Sequence, residues 1–341
     1  MKLIVQIPCY NEEQTLPATV ADIPRRIEGV DTVEVLIVDD GSTDGTVEAA
    51  RRAGVDHIVQ HTGNRGLARS FATGLAACLK QGADIIVNTD GDNQYAGASI
   101  PDLVRPIVEG RADVVVGDRR TDRIPHFSRM KKWLQRSGSL LVRYLSGLAI
   151  PDAVSGFRAY SRDAALRLNV LSDFSYTVES LIQAGRMGLA VTSVPVETNP
   201  KTRESRLFRS LPGFLWKQLL TMFRSYTMYR SLRVFATLGL VLLMIGLVPV
   251  VRFLIYFLLG QGEGKVQSLI LGATFITLGY VTFVSALLAD AIAMNRRLLE
   301  TTIETVRRLD LREAGDGPGR DAAAGPGERR ETRPPSPAAV E

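Results

Sequence analysis

A chain of 341 residues has room for one large domain or two ordinary ones, and 45% hydrophobic content is that of a globular protein. The 41 Lys and Arg against 36 Asp and Glu give a net charge of +5 and a pI near 9.3, but the basic residues gather beside apolar stretches, which favours anionic headgroups over nucleic acid as the partner. Two cysteines, Cys9 and Cys78, exclude a disulfide framework and read as small core residues.

The first apolar run, LIVQIP, breaks at Asn11, Glu12 and Glu13, too soon for a signal peptide. It begins a series of strand-length runs at 3–7, 33–38, 57–60, 84–88 and 113–117. Helical patterns separate them near 13–27, 45–53, 66–80 and 98–109. Asp44 or Ser42 suits the cap of the second helix, and Pro101 suits the first turn of the fourth. This alternation predicts an α/β fold, a mostly parallel sheet flanked by helices, with ligands bound beyond the carboxyl ends of the strands. Four polar clusters fall at those ends: Cys9–Glu13, Asp39–Asp44, Thr89–Tyr95 and Asp118–Arg120.

Beyond this region the patterns change. Residues 126–147 and 211–230 interleave Trp, Phe, Leu and Tyr with Arg and Lys at helical spacing, as in helices that lie in a membrane interface. Residues 234–251 and 266–289 carry no charge and predict two transmembrane helices, the first extended past Arg252. Arg224, Arg230 and Arg233 precede the first, and Arg296 and Arg297 follow the second. The positive-inside rule therefore places both ends in the cytoplasm. From about Gly315 the chain is Gly, Ala, Pro, Arg and Glu without periodicity, the composition of a disordered tail.

The chemistry concentrates at the strand ends. In VNTDGDNQY, Asp90 and Asp92 lie two residues apart, so an extended backbone points both carboxylates the same way, able to share one hard divalent cation. Gln94 stands one further step of two along, and Gly91 keeps the backbone between the carboxylates open. VDDGSTDGT leaves a strand with Asp39 and Asp40, acceptors for a base or sugar hydroxyl. IPCYNEE offers Tyr10 for stacking and Glu12 as a further acceptor. GNRGLARS places Arg65 at a helix start, where backbone N–H groups favour anions. Together these describe a site for a nucleoside diphosphate. Neither the Walker A pattern nor G-x-G-x-x-G is present.

PCYNEE, VDDGSTDGT, NRG, TDGDNQ, VVGDR and DAVSGFRA, in this order, resemble family 2 glycosyltransferases of the GT-A fold. Within that family the chain is most similar to polyprenyl-phosphate (dolichol-phosphate) hexose synthases with C-terminal membrane helices. The resemblance implies an inverting transfer of a hexose from a UDP- or GDP-sugar to a polyprenyl phosphate, with Mg²⁺ or Mn²⁺ as cofactor. It implies that Pro8, Tyr10, Glu12 and Asp39, with Asp40 and Arg65 beside them, contact the donor nucleotide, and that Asp90, Asp92 and Gln94 hold the cation. Asp152 is implied as a base or acceptor-orienting group, and Arg203 and Arg206 as phosphate-closing catalytic residues. Arg119, Ser155, Glu179 and Ser205 are implied on the phosphate or acceptor side, while Arg129 and Lys132, on a basic helical stretch beside the membrane segments, are candidates to meet the lipid phosphate. Asp118 departs from the more usual Gly-Ser-Arg pattern at its position.

The expected division is a cytoplasmic GT-A domain over 1–210 with its interface helix at 126–147, and an amphipathic helix over 211–232. A transmembrane hairpin over 233–295 and a cytoplasmic helix and tail over 296–341 complete it. The membrane helices are also a candidate contact for a homo-oligomer. The competing readings are a membrane enzyme that extends a polysaccharide, for which no Q-x-x-R-W element is present, and a membrane-anchored nucleotide-sugar-binding scaffold.

Overall fold

The structure is a computed structural model that describes residues 1–120, 143, 146–170, 176–200, 227, 231–261, 264 and 266–315. Its first half alternates strand and helix: β1 (Lys2–Cys9), α1 (Leu16–Ala21), β2 (Thr32–Asp39), α2 (Thr46–Arg52), β3 (His57–Gln60), α3 (Leu67–Lys80), β4 (Ile85–Asn88), α4 (Ile100–Val108) and β5 (Val114–Asp118). After the segment around 121–142 come β6 (Arg158–Ser161), α5 (Arg162–Arg167), α6 (Tyr176–Arg186) and β7 (Val191–Pro195).

The seven strands form one sheet in the order β3-β2-β1-β4-β6-β5-β7. β1, β2, β3 and β4 pair in parallel, as β5 does with β7, and β6 runs antiparallel between β4 and β5. The alternation predicted a parallel sheet, and the reversal at β6 is what it did not reveal. Apolar side chains cover both faces, Val5, Ile37, Val87 and Leu103 on one and Ile4, Phe71, Ile86 and Tyr160 on the other. Cys9 and Cys78 are both free and buried in these layers, as their small apolar character predicts.

Two local expectations are corrected. The first helix covers Leu16–Ala21 rather than 13–27, because Pro24 keeps its predecessor out of helical geometry. The cap of α2 is Gly45; Asp44 nonetheless accepts from the Thr46 amide at 3.1 Å, while Ser42 Oγ accepts from the Asn11 amide at 2.9 Å. Pro101 sits in the first turn of α4 as expected.

Two long helices complete the chain, α7 (Ser231–Leu258) and α8 (Val266–Gly315), both long and apolar enough to span a membrane. Many of their apolar side chains point outwards, with Val248 69% and Ile270 62% exposed, unlike the core helices of a soluble domain. They pack on each other through glycines. A methyl group on Gly239 would stand 3.0 Å from the Gly279 carbonyl, and one on Gly246 would stand 2.8 Å from that of Gly272. Small residues of this kind let two membrane helices approach backbone to backbone.

Candidate active site

The carboxyl ends of β1, β2, β4 and β5 lie along one rim of the sheet. Because β6 is antiparallel, the loop that precedes it (152–157) arrives at the same rim, and so does the segment that follows β7. This reversal brings Asp152 and Ser155 to the rim that carries Asp39, Asp90, Asp92 and Arg119.

On the β1–β2 side, backbone and side chains knit three loops together. The Thr43 amide donates to Asn11 Oδ1 at 2.8 Å and the Glu12 amide to Thr46 Oγ1 at 2.9 Å. Asp39, 3% exposed, accepts from the Ser42 amide. Asp40 turns inwards. Its Oδ1 accepts from the Arg65 amide at 2.9 Å and lies 2.8 Å from His61 Nδ1, and its Oδ2 accepts from the Gly66 amide at 2.8 Å. Asp40 therefore shapes the 63–66 loop from beneath. Gly41, at φ +72°, leaves no space for a side chain, since a Cβ would stand 2.6 Å from the Gly63 backbone. Pro8 is buried in β1, whereas Tyr10 is 39% exposed at the mouth and Arg65 is exposed on its loop. His61, which the sequence offered no reason to single out, bridges Asp40 and Thr73 Oγ1 (3.0 Å) in a buried position.

At the centre stand Asp90 and Asp92, both half-buried. The Gln94 side chain donates to Asp92 Oδ2 at 2.7 Å and its backbone amide to Asp92 Oδ1 at 3.2 Å, so Gln94 orients Asp92 here. Gly91 has a different reason from openness to a ligand. A Cβ there would press on Glu12 Cγ at 3.2 Å and Cys9 Sγ at 3.3 Å, and the Gly91 carbonyl accepts from Thr15 Oγ1 at 2.8 Å. Burial, together with the charges of Glu12, Asp39 and Asp90, pushes the Cys9 thiol well up in pKa, which keeps it unreactive. Among the described residues, no three His, Cys, Asp or Glu side chains cluster as a self-sufficient cation site.

The third part is the 152–157 loop. Asp152, 2% exposed, is held by Arg119 in a two-point pair, Nε to Oδ2 at 2.7 Å and Nη2 to Oδ1 at 3.0 Å. The same guanidinium lies 6.0 Å from the centre of the Tyr95 ring, which stacks on Phe157 at 5.0 Å. Two sequence candidates thus bind each other, with Arg119 engaging both oxygens of the Asp152 carboxylate. Gly156 is pinned from both sides, its N–H donating to Tyr95 Oη at 3.1 Å and its carbonyl accepting from Asn88 Nδ2 at 2.9 Å. Asn88 in turn accepts from Gln6 Nε2 at 2.9 Å and lies 3.0 Å from Tyr176 Oη. A Cβ on Gly156 would stand 2.8 Å from Tyr176 Oη and 3.3 Å from Asp90 Oδ1, so this loop lies directly against the Asp90 carboxylate. Burial raises the pKa of both Tyr95 and Tyr176, and the charge of Asp90 adds to it, so both phenols stay protonated.

Ser155 is fully buried, and its carbonyl accepts from Arg158 Nε at 2.8 Å. Arg158 itself, unnoticed in the sequence, is a wholly buried cation. It donates also to the carbonyls of Ala153 (2.8 Å) and Thr177 (2.7 Å) and to Ser180 Oγ (2.8 Å), tying the loop to the start of α6. Glu179 is buried on α6, with Gln183 Nε2 at 3.4 Å. Asp118 accepts from the Arg120 amide at 2.9 Å and so shapes its turn. The Asn199 amide donates to the Gln94 carbonyl at 2.9 Å, which anchors the rim segment four residues before Arg203. Arg129, Lys132, Arg203, Ser205 and Arg206, with the helices expected at 126–147 and 211–232, lie outside the described residues.

Comparison with known proteins agrees with this arrangement. Residues 4–168 match Glycosyl transferase family 2. The undecaprenyl-phosphate mannosyltransferase of Micrococcus luteus is 31% identical over 58% of this chain and 83% of its own length. The dolichyl-phosphate hexose transferase of Haloferax volcanii is 31% identical over 60% of this chain and 86% of its own. A glucosyl-3-phosphoglycerate synthase from Mycobacterium tuberculosis, solved with Mn²⁺, uridine-diphosphate-glucose and phosphoglyceric acid, shares the fold at a TM-score of 0.50. It is 24% identical and covers 64% of this chain and 79% of its own. With its mostly parallel sheet, its convergent rim and these relatives, the chain belongs to glycosyl transferase family 2 and is a glycosyltransferase.

Proposed function

We propose that the chain transfers a hexose from a nucleoside diphosphate sugar to a polyprenyl phosphate at the cytoplasmic face of a membrane, with inversion. The observation that carries this reading is the joining of two kinds of group. Asp90, two residues before Asp92, lies against an arginine-held loop, in a chain that also bears two lipid-length apolar helices. The names of the Micrococcus and Haloferax relatives support the lipid phosphate as acceptor.

Two carboxylates and an amide are a hard but incomplete ligand set, which suits Mg²⁺ or Mn²⁺ when diphosphate oxygens complete the shell. Asp90 and Asp92 would hold the cation, which supplies positive charge to a diphosphate that gains negative charge as it leaves. The exposed Tyr10 would meet the base, and Glu12 and Asp39 the nucleoside, on the rim that Asp40 and His61 brace.

The reaction makes one bond and breaks one. A phosphate oxygen of the acceptor bonds the anomeric carbon from the face opposite the donor, and the nucleoside diphosphate departs with the electron pair. A phosphate monoester has its second pKa near 6 and so is largely dianionic at neutral pH. No strong base is needed, consistent with an Asp152 engaged by Arg119. Arg119, a quarter exposed beside Asp152, would meet the incoming phosphate, and Arg203 and Arg206 would close over it. The Arg residues flanking the two apolar helices support a cytoplasmic side for both termini and the site.

The test is to give full-length protein in vesicles a panel of nucleotide sugars with Mn²⁺ and a polyprenyl phosphate, then weigh the lipid product. One sugar donor should yield a hexosyl phospholipid. Equal transfer to a soluble sugar alcohol would overturn the lipid acceptor. A second expectation concerns the donor side. His61→Ala removes one partner of Asp40 and loosens the 63–66 loop. The loss of about 1 kcal/mol should raise the donor KM roughly fivefold with kcat little changed, measured by steady-state kinetics.

A further inference from the structure

Helix α8 does not end where its apolar part ends. It continues unbroken past Arg296 to Gly315, and its last turns dock on the globular domain. Arg307 Nη1 donates to the carbonyls of Leu166 (3.1 Å) and Leu168 (3.0 Å), the free acceptors at the end of α5. Arg308 pairs with Asp163 and with Glu304, and Leu311 packs on the apolar layer beneath α3. The contact is thus a specific one, built from a capped helix end, an ion-pair network and an apolar residue.

Its position matters more than its strength. Ser161, just before α5, pairs with Ile85 at the start of β4, and Arg162 Nη1 donates to the Ala83 carbonyl, so the dock lies at the end of the sheet opposite the rim. From the level of Asp84 to that of Asp90 is six residues of extended chain, about 20 Å. From Arg296, the first basic residue after the apolar stretch, to Leu311 is fifteen residues of helix, about 22 Å. The two lengths agree. Fastened at that far end, a helix of this length that runs back alongside the strands would carry the rim to the level where its apolar part ends.

We infer that the cytoplasmic part of α8 is a strut of fixed length that sets the height of the active-site rim at the lipid phosphate, with Arg307 and Arg308 as its positioning residues. This rests on the proposed lipid-phosphate acceptor. The anchor alone would hold the enzyme at the membrane at an undefined height. The strut holds it where an acceptor phosphate, tied to the bilayer by its hydrocarbon, can meet the anomeric carbon.

The experiment inserts seven residues (a helical heptad rich in Ala, Glu and Lys) after Thr301, which lengthens the strut by about 10 Å and turns the docking face by only about 20°. A second variant, Arg307→Ala with Arg308→Ala, releases the dock without changing length. Full-length proteins in vesicles are offered a long-chain polyprenyl phosphate in the bilayer and, separately, a short water-soluble isoprenyl phosphate. Both variants should lose at least tenfold in kcat/KM on the embedded acceptor and stay within twofold of the parent on the soluble one. Unchanged turnover on the embedded acceptor, or an equal loss on both acceptors, overturns the strut. A parent protein that uses neither acceptor overturns the functional reading instead.

Discussion

Replacing Asp92 by Asn is expected to lower sugar transfer by roughly 10²–10³-fold while leaving the fold intact. Asp92 is half-buried in the loop after β4, where the side chain and the amide of Gln94 both donate to it. An asparagine keeps the shape and an acceptor oxygen, so the loop loses little beyond one charge-assisted bond. What it removes is half the negative charge available to a cation before the diphosphate arrives. The measurement is transfer rate against Mn²⁺ concentration, with thermal unfolding alongside. Activity should recover in part as Mn²⁺ is raised tenfold, and Tm should move by no more than about 2 °C. Unchanged turnover at low Mn²⁺ would remove Asp92 from the cation site.

Arg119→Ala should behave in the opposite way, losing stability and activity together. It strands the Asp152 carboxylate, which is 2% exposed, with its two-point partner gone. Losing one member of a buried pair costs about 3 kcal/mol, because the charge that remains cannot return to water. For a domain of this size that is a fall in Tm of roughly 6–12 °C. The reciprocal change, Asp152→Ala, should cost less, since Arg119 keeps 25% side-chain exposure and can turn to solvent. Thermal unfolding of the two variants reads this asymmetry directly, and equal losses would contradict it. If Asp152 only orients Arg119, Asp152→Asn should keep a measurable part of the activity. A true base would lose nearly all of it.

The strands were legible because they are β-branched runs, VEVLIVD and VVVGD among them, and because each ends in a polar cluster. The carboxylates at those ends were legible for the same reason. Three features were not. β6 is four residues long and starts with Arg158, and a cation at the head of a short strand reads as an exposed edge. Its burial depends on acceptors at 153, 155, 177 and 180, which only the fold brings together. The Arg119–Asp152 pair spans 33 residues, with no spacing rule to connect them. Asp40 reads as an acceptor beside Asp39, and only the fold shows it accepting from the amides of the 63–66 loop, 25 residues further on.

The buried polar line from Gln6 through Asn88 to Gly156 crosses β1, β4 and the chain entering β6 at the middle of an otherwise aliphatic sheet. Between β1 and β4 the other neighbours are interchangeable, since Leu3, Ile4 and Val5 face Ile85, Ile86 and Val87. Asn88 is not interchangeable, because away from this alignment it would be left in the core with unanswered donors, at a cost of about 1–3 kcal/mol. The line therefore acts as an alignment key during assembly, fixing the one strand that runs backwards against the one that carries Asp90 and Asp92.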